Sequence, residues 1–208
     1  MTDLAISALT NAILAAEIFF LAGLSFRGGL ERWSAAWLFA LYLTFIGLAN
    51  LLGTIDHGFL EPIDHPANIP VRTATRSVIA LATFALLMCT ARQFFGALGV
   101  RICLVVGFAG LAATVWVTAT QDNFLVLVAG NFVVMLLTLG LHLWGLRRGT
   151  GSLLLCAGIV ASIAASLIIP FGGDGVEPLG LYGTFHIALI GASFILYLGG
   201  RDLKARVA

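Results

Sequence analysis

Residues 35–62 read AAWLFALYLTFIGLANLLGTIDHGFLEP. From Ala35 to Ile55 the run contains no charged side chain, and about 20 mostly apolar residues are what a helix needs to cross the hydrocarbon of a bilayer. A helix that is apolar on every side has no face for water, so this stretch specifies a span and not a surface helix. The run then ends on Asp56, His57 and Glu61, two carboxylates and an imidazole close together in a chain that is otherwise poor in charge.

Similar apolar runs, separated by Gly, Pro and charge clusters, fall at about residues 4–25, 72–95, 97–119, 123–146, 150–171 and 179–200, with the quoted run at 35–56. Of 208 residues, 60% are apolar and 10% charged, and mean hydropathy is +1.05. Soluble domains carry about 25% charged residues. The expected fold is all-α: a polytopic membrane protein of seven transmembrane helices forming one domain over residues 1–208. Between Arg92 and Arg101 there is room only for a tight turn joining the third and fourth spans. The first run carries Glu17 and comes after Met-Thr-Asp with no basic region, which predicts a retained span and not a cleaved signal. Cys89, Cys103 and Cys156 lie in or beside apolar runs without metal-site spacing and read as small buried residues. A net charge of +1 provides no basic field for nucleic acid.

The placement of charge predicts an orientation. Arg27, Arg32, Arg92, Arg101, Arg147, Arg148, Arg201, Lys204 and Arg206 fall on one side of the seven spans, and only Arg72 and Arg76 on the other. By the positive-inside rule the N-terminus is expected outside and the C-terminus in the cytoplasm of a multi-pass membrane protein, of the inner membrane if the source is bacterial. Asp56, His57, Asp122 and the loop Gly172–Pro178 are then expected on the outer face.

Within the spans, Asn50, Gly53, Thr54 and His57 share the i, i+3, i+4, i+7 spacing of one helix stripe. Tyr182, His186 and Ser193 share a face of the seventh span, so its end and that of the second are expected to meet across a shallow outward pocket. His186 should lie roughly 10 Å below the outer surface and Glu17 roughly 20 Å, at about 1.5 Å per residue. Intramembrane ionisable groups are costly, about 2.5 to 3.5 kcal/mol on insertion scales, which makes each a functional candidate. The plainer alternatives are an interfacial histidine satisfied by water or backbone, and a Glu17 hydrogen-bonded to Asn50 or Asn131. Asn131 itself fits interhelical hydrogen bonding, and His142, beside Trp144, Arg147 and Arg148, reads as an interfacial residue. Arg72 and Arg76, one turn apart, are expected to pair with Asp56, Glu61 or Asp64, or to take a lipid or substrate phosphate. Asp64 and His65 lie in a proline-stiffened loop that could fold over the pocket.

Seven spans with an outside N-terminus, a hydroxyl residue and a histidine closing the second span, an acid nearby and a histidine in the seventh resemble the superfamily of alkaline ceramidases, adiponectin-type receptors and their bacterial relatives. The resemblance implies a zinc ion held by one histidine of the second span and two of the seventh, four residues apart, with a Ser and an Asp assisting amide hydrolysis. His57 and His186 match two of those ligands. Four residues before and after His186 stand Tyr182 and Ile190, Gly53 occupies the serine position with Thr54 beside it, the acid is Asp56 or Asp64, and His65 is the remaining candidate for a third ligand.

The function expected on these grounds is hydrolysis of a lipid amide or ester by a zinc-dependent site, with His57, His186 and His65 as ligands. Asp56, Asp64 and Thr54 would be catalytic, and Arg72, Arg76 and Tyr182 would contact a membrane lipid as substrate. The alternatives are a proton, ion or lipid binding or transport protein built on Glu17, Asn50 and Asn131, a haem anchor using His57 and His186, and an accessory subunit in a homo-oligomer or larger membrane complex. A retinal protein is excluded, because the only lysine, Lys204, lies outside every span.

Overall fold

The computed structural model describes residues 3–121 and 124–207, leaving Asp122 outside the described residues. The chain forms α1 (Asp3–Ser25), α2 (Ala35–Ile55), a π turn (Asp56–Leu60), a 3-10 turn (Glu61–Ile63), α3 (Asn68–Phe94), α4 (Ala97–Thr120) and α5 (Phe124–Leu146). It continues through α6 (Leu153–Ser166), the single turn α7 (Ile168–Phe171) and α8 (Gly180–Gly200). Among the described residues, seven helical segments are long and apolar enough to cross a membrane, with α6 and α7 counting as one.

The boundaries have local causes. Ser34 and Ser152 cap α2 and α6 by accepting from Trp37 N and Leu155 N, each at 3.2 Å, which satisfies one of the orphan donors of a helix start. Phe95 and Gly96 form the tight turn expected between α3 and α4. Leu167 separates α6 from α7 because Pro170 supplies no N–H to the Ser166 carbonyl and its ring crowds that group. The third helix begins four residues earlier than the apolar run suggested, since Pro70 is tolerated in a first turn.

Helix α1 packs between α2 and α8; α2 packs on α3, α3 on α5, α5 on α6, and α6 on α8, closing a ring. The α4 helix leans on α3 and α5 from outside and is the least buried. Phe39, Leu43, Leu14, Leu21, Leu155 and Ile159 fill the core. The α6–α8 crossing is tight: a Cβ at Gly199 would lie 2.1 Å from Leu155 N, so only the smallest residue lets these backbones meet.

Two parallel helix pairs are tied by polar rungs in matching register. Between α1 and α8, Thr10 meets His186 at 3.0 Å and Glu17 meets Ser193 at 2.9 Å. Between α3 and α5, Thr83 meets Asn131 at 3.2 Å and Thr90 meets Thr138 at 2.8 Å. In each pair the rungs are seven residues apart on both helices, the repeat that returns a side chain to the same seam. Glu17 is thus bonded to Ser193, and not to Asn50 or Asn131 as the residue types suggested, because α8 is the neighbour on that face of α1.

Alternating helix directions gather nine of the eleven basic residues, all but Arg72 and Arg76, at one end, here the basic end, and Asp56, His57 and Glu61 at the other, the acidic end. At the basic end the C-terminal segment is stitched under the bundle: Ala36 N donates to Lys204 O at 3.0 Å, and Lys204 Nζ donates to Gln93 O at 2.8 Å. His142 is fully buried there, its Nδ1 accepting from Ser152 N at 3.1 Å and its ring edge-on to Phe94. That corrects the interfacial reading: the adjoining Trp144 and Arg148, both exposed, stack on each other, while His142 turns inward.

Candidate functional site

The site is built around the π turn that succeeds α2. Glu61 N bonds back to Asp56 O, five residues away, so this turn holds one residue more than an α-turn and re-aims the side chains beyond it; such turns are frequent at functional sites. Asp56 is buried at 4% exposure. Its Oδ1 accepts from Asn68 Nδ2 at 2.6 Å and its Oδ2 from Arg72 Nε at 3.0 Å. The same guanidinium reaches Glu61 Oε1 through Nη2 at 3.0 Å, and Glu61 Oε2 meets His57 Nδ1 at 2.6 Å. Arg72 therefore clamps both carboxylates, as its position one helix along had suggested, while Arg76 lies half-buried a turn deeper.

The His57 ring stacks on Tyr182 of α8, ring centres 6.3 Å apart, which joins the ends of the second and seventh spans. One turn further along α8, His186 is buried. The Glu61 partner fixes the hydrogen on His57. A carboxylate only accepts, so His57 Nδ1 carries the proton it gives to Glu61. Thr10 Oγ1 has one hydrogen and reaches the carbonyls of Ile6 at 2.9 Å and Ser7 at 3.1 Å; with that hydrogen on either carbonyl, the oxygen accepts from His186 Nδ1. In that tautomer a neutral imidazole presents the lone pair of Nε2, and neither His57 Nε2 nor His186 Nε2 has a protein partner among the described residues.

Residues of α1 complete the wall. Asn11 and Ser7 are buried at 5% and 1% exposure, and Asn11 Oδ1 and Ser7 Oγ have no hydrogen-bond partner among the described residues. Asn11 presses on α2 where Gly53 leaves space: a Cβ there would lie 2.7 Å from Asn11 Nδ2. These residues escaped the sequence reading, although Ser7, Thr10, Asn11 and Glu17 recur at helical spacing in an apolar span. Asn68 escaped it too, sitting in a stretch that read as loop.

Other candidates lie apart. Thr54 Oγ1 donates to Asn50 O at 3.0 Å and Asn50 Nδ2 to Ile46 O at 2.8 Å, so both polar groups are used within α2. Asp64 is exposed and adopts a left-handed conformation, φ 49°, that turns the chain toward α3. His65 is exposed and accepts from Ala67 N at 3.1 Å within its own loop, so the loop does not bring it to His57. Asn131 is bonded to Thr83, away from Glu17.

The chemistry of the donor set bears on whether zinc fits. Ligand atoms of Asp56, His57 and Glu61 lie within 4.8 Å of one another, but the imidazole atom nearest Glu61 is Nδ1, already a donor. The free lone pairs are the two Nε2 atoms, and each carboxylate oxygen of Asp56 and Glu61 keeps a second acceptor position beyond its one protein bond. Two imidazoles and a carboxylate would match a common catalytic zinc set, but among the described residues the ligand atoms gathered within 4.8 Å of one another are those of Asp56, His57 and Glu61, without His186. Histidine ligands ordinarily donate their other N–H to a carboxylate, carbonyl or water, and His57 has that arrangement with Glu61.

The sequence profile of a family of unknown function (DUF6962) matches residues 6–205. The chain belongs to that family. No curated protein and no solved structure matches it. The matched region takes in every residue of the acidic-end cluster and every helix from α2 to α8.

Proposed function

We propose that the protein is an integral membrane protein with its N-terminus outside and its C-terminus in the cytoplasm, and that the acidic-end cluster is the site of a metal-dependent hydrolase acting on a lipid amide or ester. The observation that carries this reading is the gathering of ligand atoms of Asp56, His57 and Glu61 within 4.8 Å of one another, with His57 Nδ1 held by Glu61 and its Nε2 left open. His57, His186 and a carboxylate oxygen of the Asp56–Glu61 pair would hold zinc. When bound, the metal supplies Lewis acidity, bringing the pKa of water toward about 7 and polarising a carbonyl.

The other carboxylate of the pair would act as general base. Water oxygen bonds to the acyl carbon, the C–N or C–O bond breaks, and the proton taken by the base passes to the leaving amine or alcohol. Arg72 and Asn68 hold Asp56 in one orientation, and Arg76 is near enough along α3 to meet a headgroup phosphate. Tyr182, half exposed, covers the His57 ring and borders the opening.

Elemental analysis of protein purified without chelator tests the reading. The expected result is about one transition-metal ion per chain, lost in both His57→Ala and His186→Ala. Trace metal that neither substitution changes refutes it. One observation favours a second, non-enzymatic reading: Glu17, half-buried at mid-depth and bonded to Ser193, suits a proton or cation path.

A further inference from the structure

Helix α3 carries a stripe that runs from the site into the bundle. Arg72, Arg76, Ala80, Thr83 and Leu87 are spaced by four, four, three and four residues, one face of a helix. The last three line a cavity of about 180 Å³ between α3, α4 and α5. Thr83, Thr114 and Asn131 are its polar lining residues, in walls otherwise made of apolar side chains and glycines. Gly110 of α4 and Gly130 of α5 are exposed and also line it, and a Cβ at either would meet nothing within 4 Å. The cavity therefore opens sideways between α4 and α5.

Its polar lining is incompletely used. Asn131 Oδ1 accepts from Thr83 Oγ1 at 3.2 Å, and Asn131 Nδ2 has one weak contact, to Met135 Sδ at 3.6 Å. An amide nitrogen carries two hydrogens, so one remains without a protein acceptor among the described residues. Asn131 lies seven residues from the start of α5, about 10 Å along the helix. A side opening between spanning helices admits hydrocarbon, and a few placed polar groups in an apolar pocket are what select and orient a ligand.

We propose that this cavity binds one acyl chain of a membrane lipid, whose ester or amide carbonyl oxygen accepts from Asn131 Nδ2. The site goes beyond the hydrolytic reading and stands without a metal or a reaction. Proteoliposomes containing a phospholipid with a photoactivatable group on an ester-linked acyl chain test it, beside the same probe with an ether-linked chain. Labelled peptides are mapped by mass spectrometry. Labelling of residues 80–87 and 127–134 should exceed that of the exposed Val105 and Phe108 of α4. Gly130→Leu should reduce it at least fivefold while leaving Val105 and Phe108 unchanged. Gly110→Leu fills the cavity from the least buried helix and gives the same readout if the first variant fails to fold. The ester probe should outcompete the ether probe about fivefold, as one hydrogen bond provides, and Asn131→Ala should abolish that preference. Even labelling of every lipid-facing helix, no effect of either cavity-filling substitution, or equal capture of both probes overturns the proposal.

Discussion

Replacing Arg72 by Gln should strand a buried carboxylate. Asp56 is 4% exposed, and its bond from Arg72 Nε at 3.0 Å complements the 2.6 Å bond from Asn68. Removing one partner of a buried ion pair costs about 3 to 5 kcal/mol, because the remaining charge keeps its desolvation without its counter-charge. Two features place this case at the lower limit. The Arg72 side chain is 40% exposed, so water reaches the pair and screens it, and Gln can still donate one bond. Glu61, the other acid on the guanidinium, is 32% exposed and can turn to solvent. The expected loss is about 3 kcal/mol, a fall in Tm of about 6 to 12 °C for a chain of this size. Asp56→Asn in the same background removes the stranded charge and should return about 2 kcal/mol of that loss. Thermal unfolding in detergent, measured by tryptophan fluorescence for all four members of the cycle, gives both quantities. A single variant within about 2 °C of wild type, or two losses that simply add, would refute the clamp.

Gly53→Ala should cost about 1 to 3 kcal/mol by overpacking, since its Cβ would lie 2.7 Å from Asn11 Nδ2. Asn11→Ala should suppress that loss, and the same unfolding assay reads it. Glu17→Gln retains an oxygen to accept from Ser193 Oγ, so stability should stay within about 1 kcal/mol of wild type. Proton or cation flux in liposomes that persists in this variant argues against a path through Glu17.

The helices were legible in the sequence because a spanning run needs only length and apolarity, and both are local properties. The tight Phe95–Gly96 turn was equally local. The pairing of Arg72 with Asp56 and Glu61 could be anticipated from opposite charges near adjoining helix ends. Rotation and neighbourhood escaped. Extrapolating the α2 stripe from Thr54 to His57 assumed an α-helix throughout, whereas the five-residue turn at Asp56–Leu60 changes the direction of the side chains beyond it. Helix α1 was credited only with Glu17, because hydroxyl and amide residues cost little in an apolar run and so attract little notice. Nothing local says that α8 is its neighbour, and without that neighbour Thr10 has no histidine and Glu17 no serine.

The two polar rungs between α1 and α8 bear on how the site is assembled. His186 can meet Thr10 and Tyr182 can stack on His57 only if α8 stands at the right height and rotation against α1, and apolar packing against lipid-like surfaces constrains sliding weakly. The Glu17–Ser193 bond, one heptad below Thr10–His186, supplies a second fixed point on the same seam. Two points seven residues apart define both register and rotation, so displacement of α8 by a turn would break both bonds and leave a carboxylate without a donor. On the other side of the opening, His57 is held from within its own segment by Glu61 and from α3 by the Arg72 clamp. The two imidazoles are thus positioned by separate hydrogen-bonded supports that meet at the stacked rings of His57 and Tyr182. A site of this kind is preorganised on helices, with the register of one helix pair setting the separation of its two principal groups.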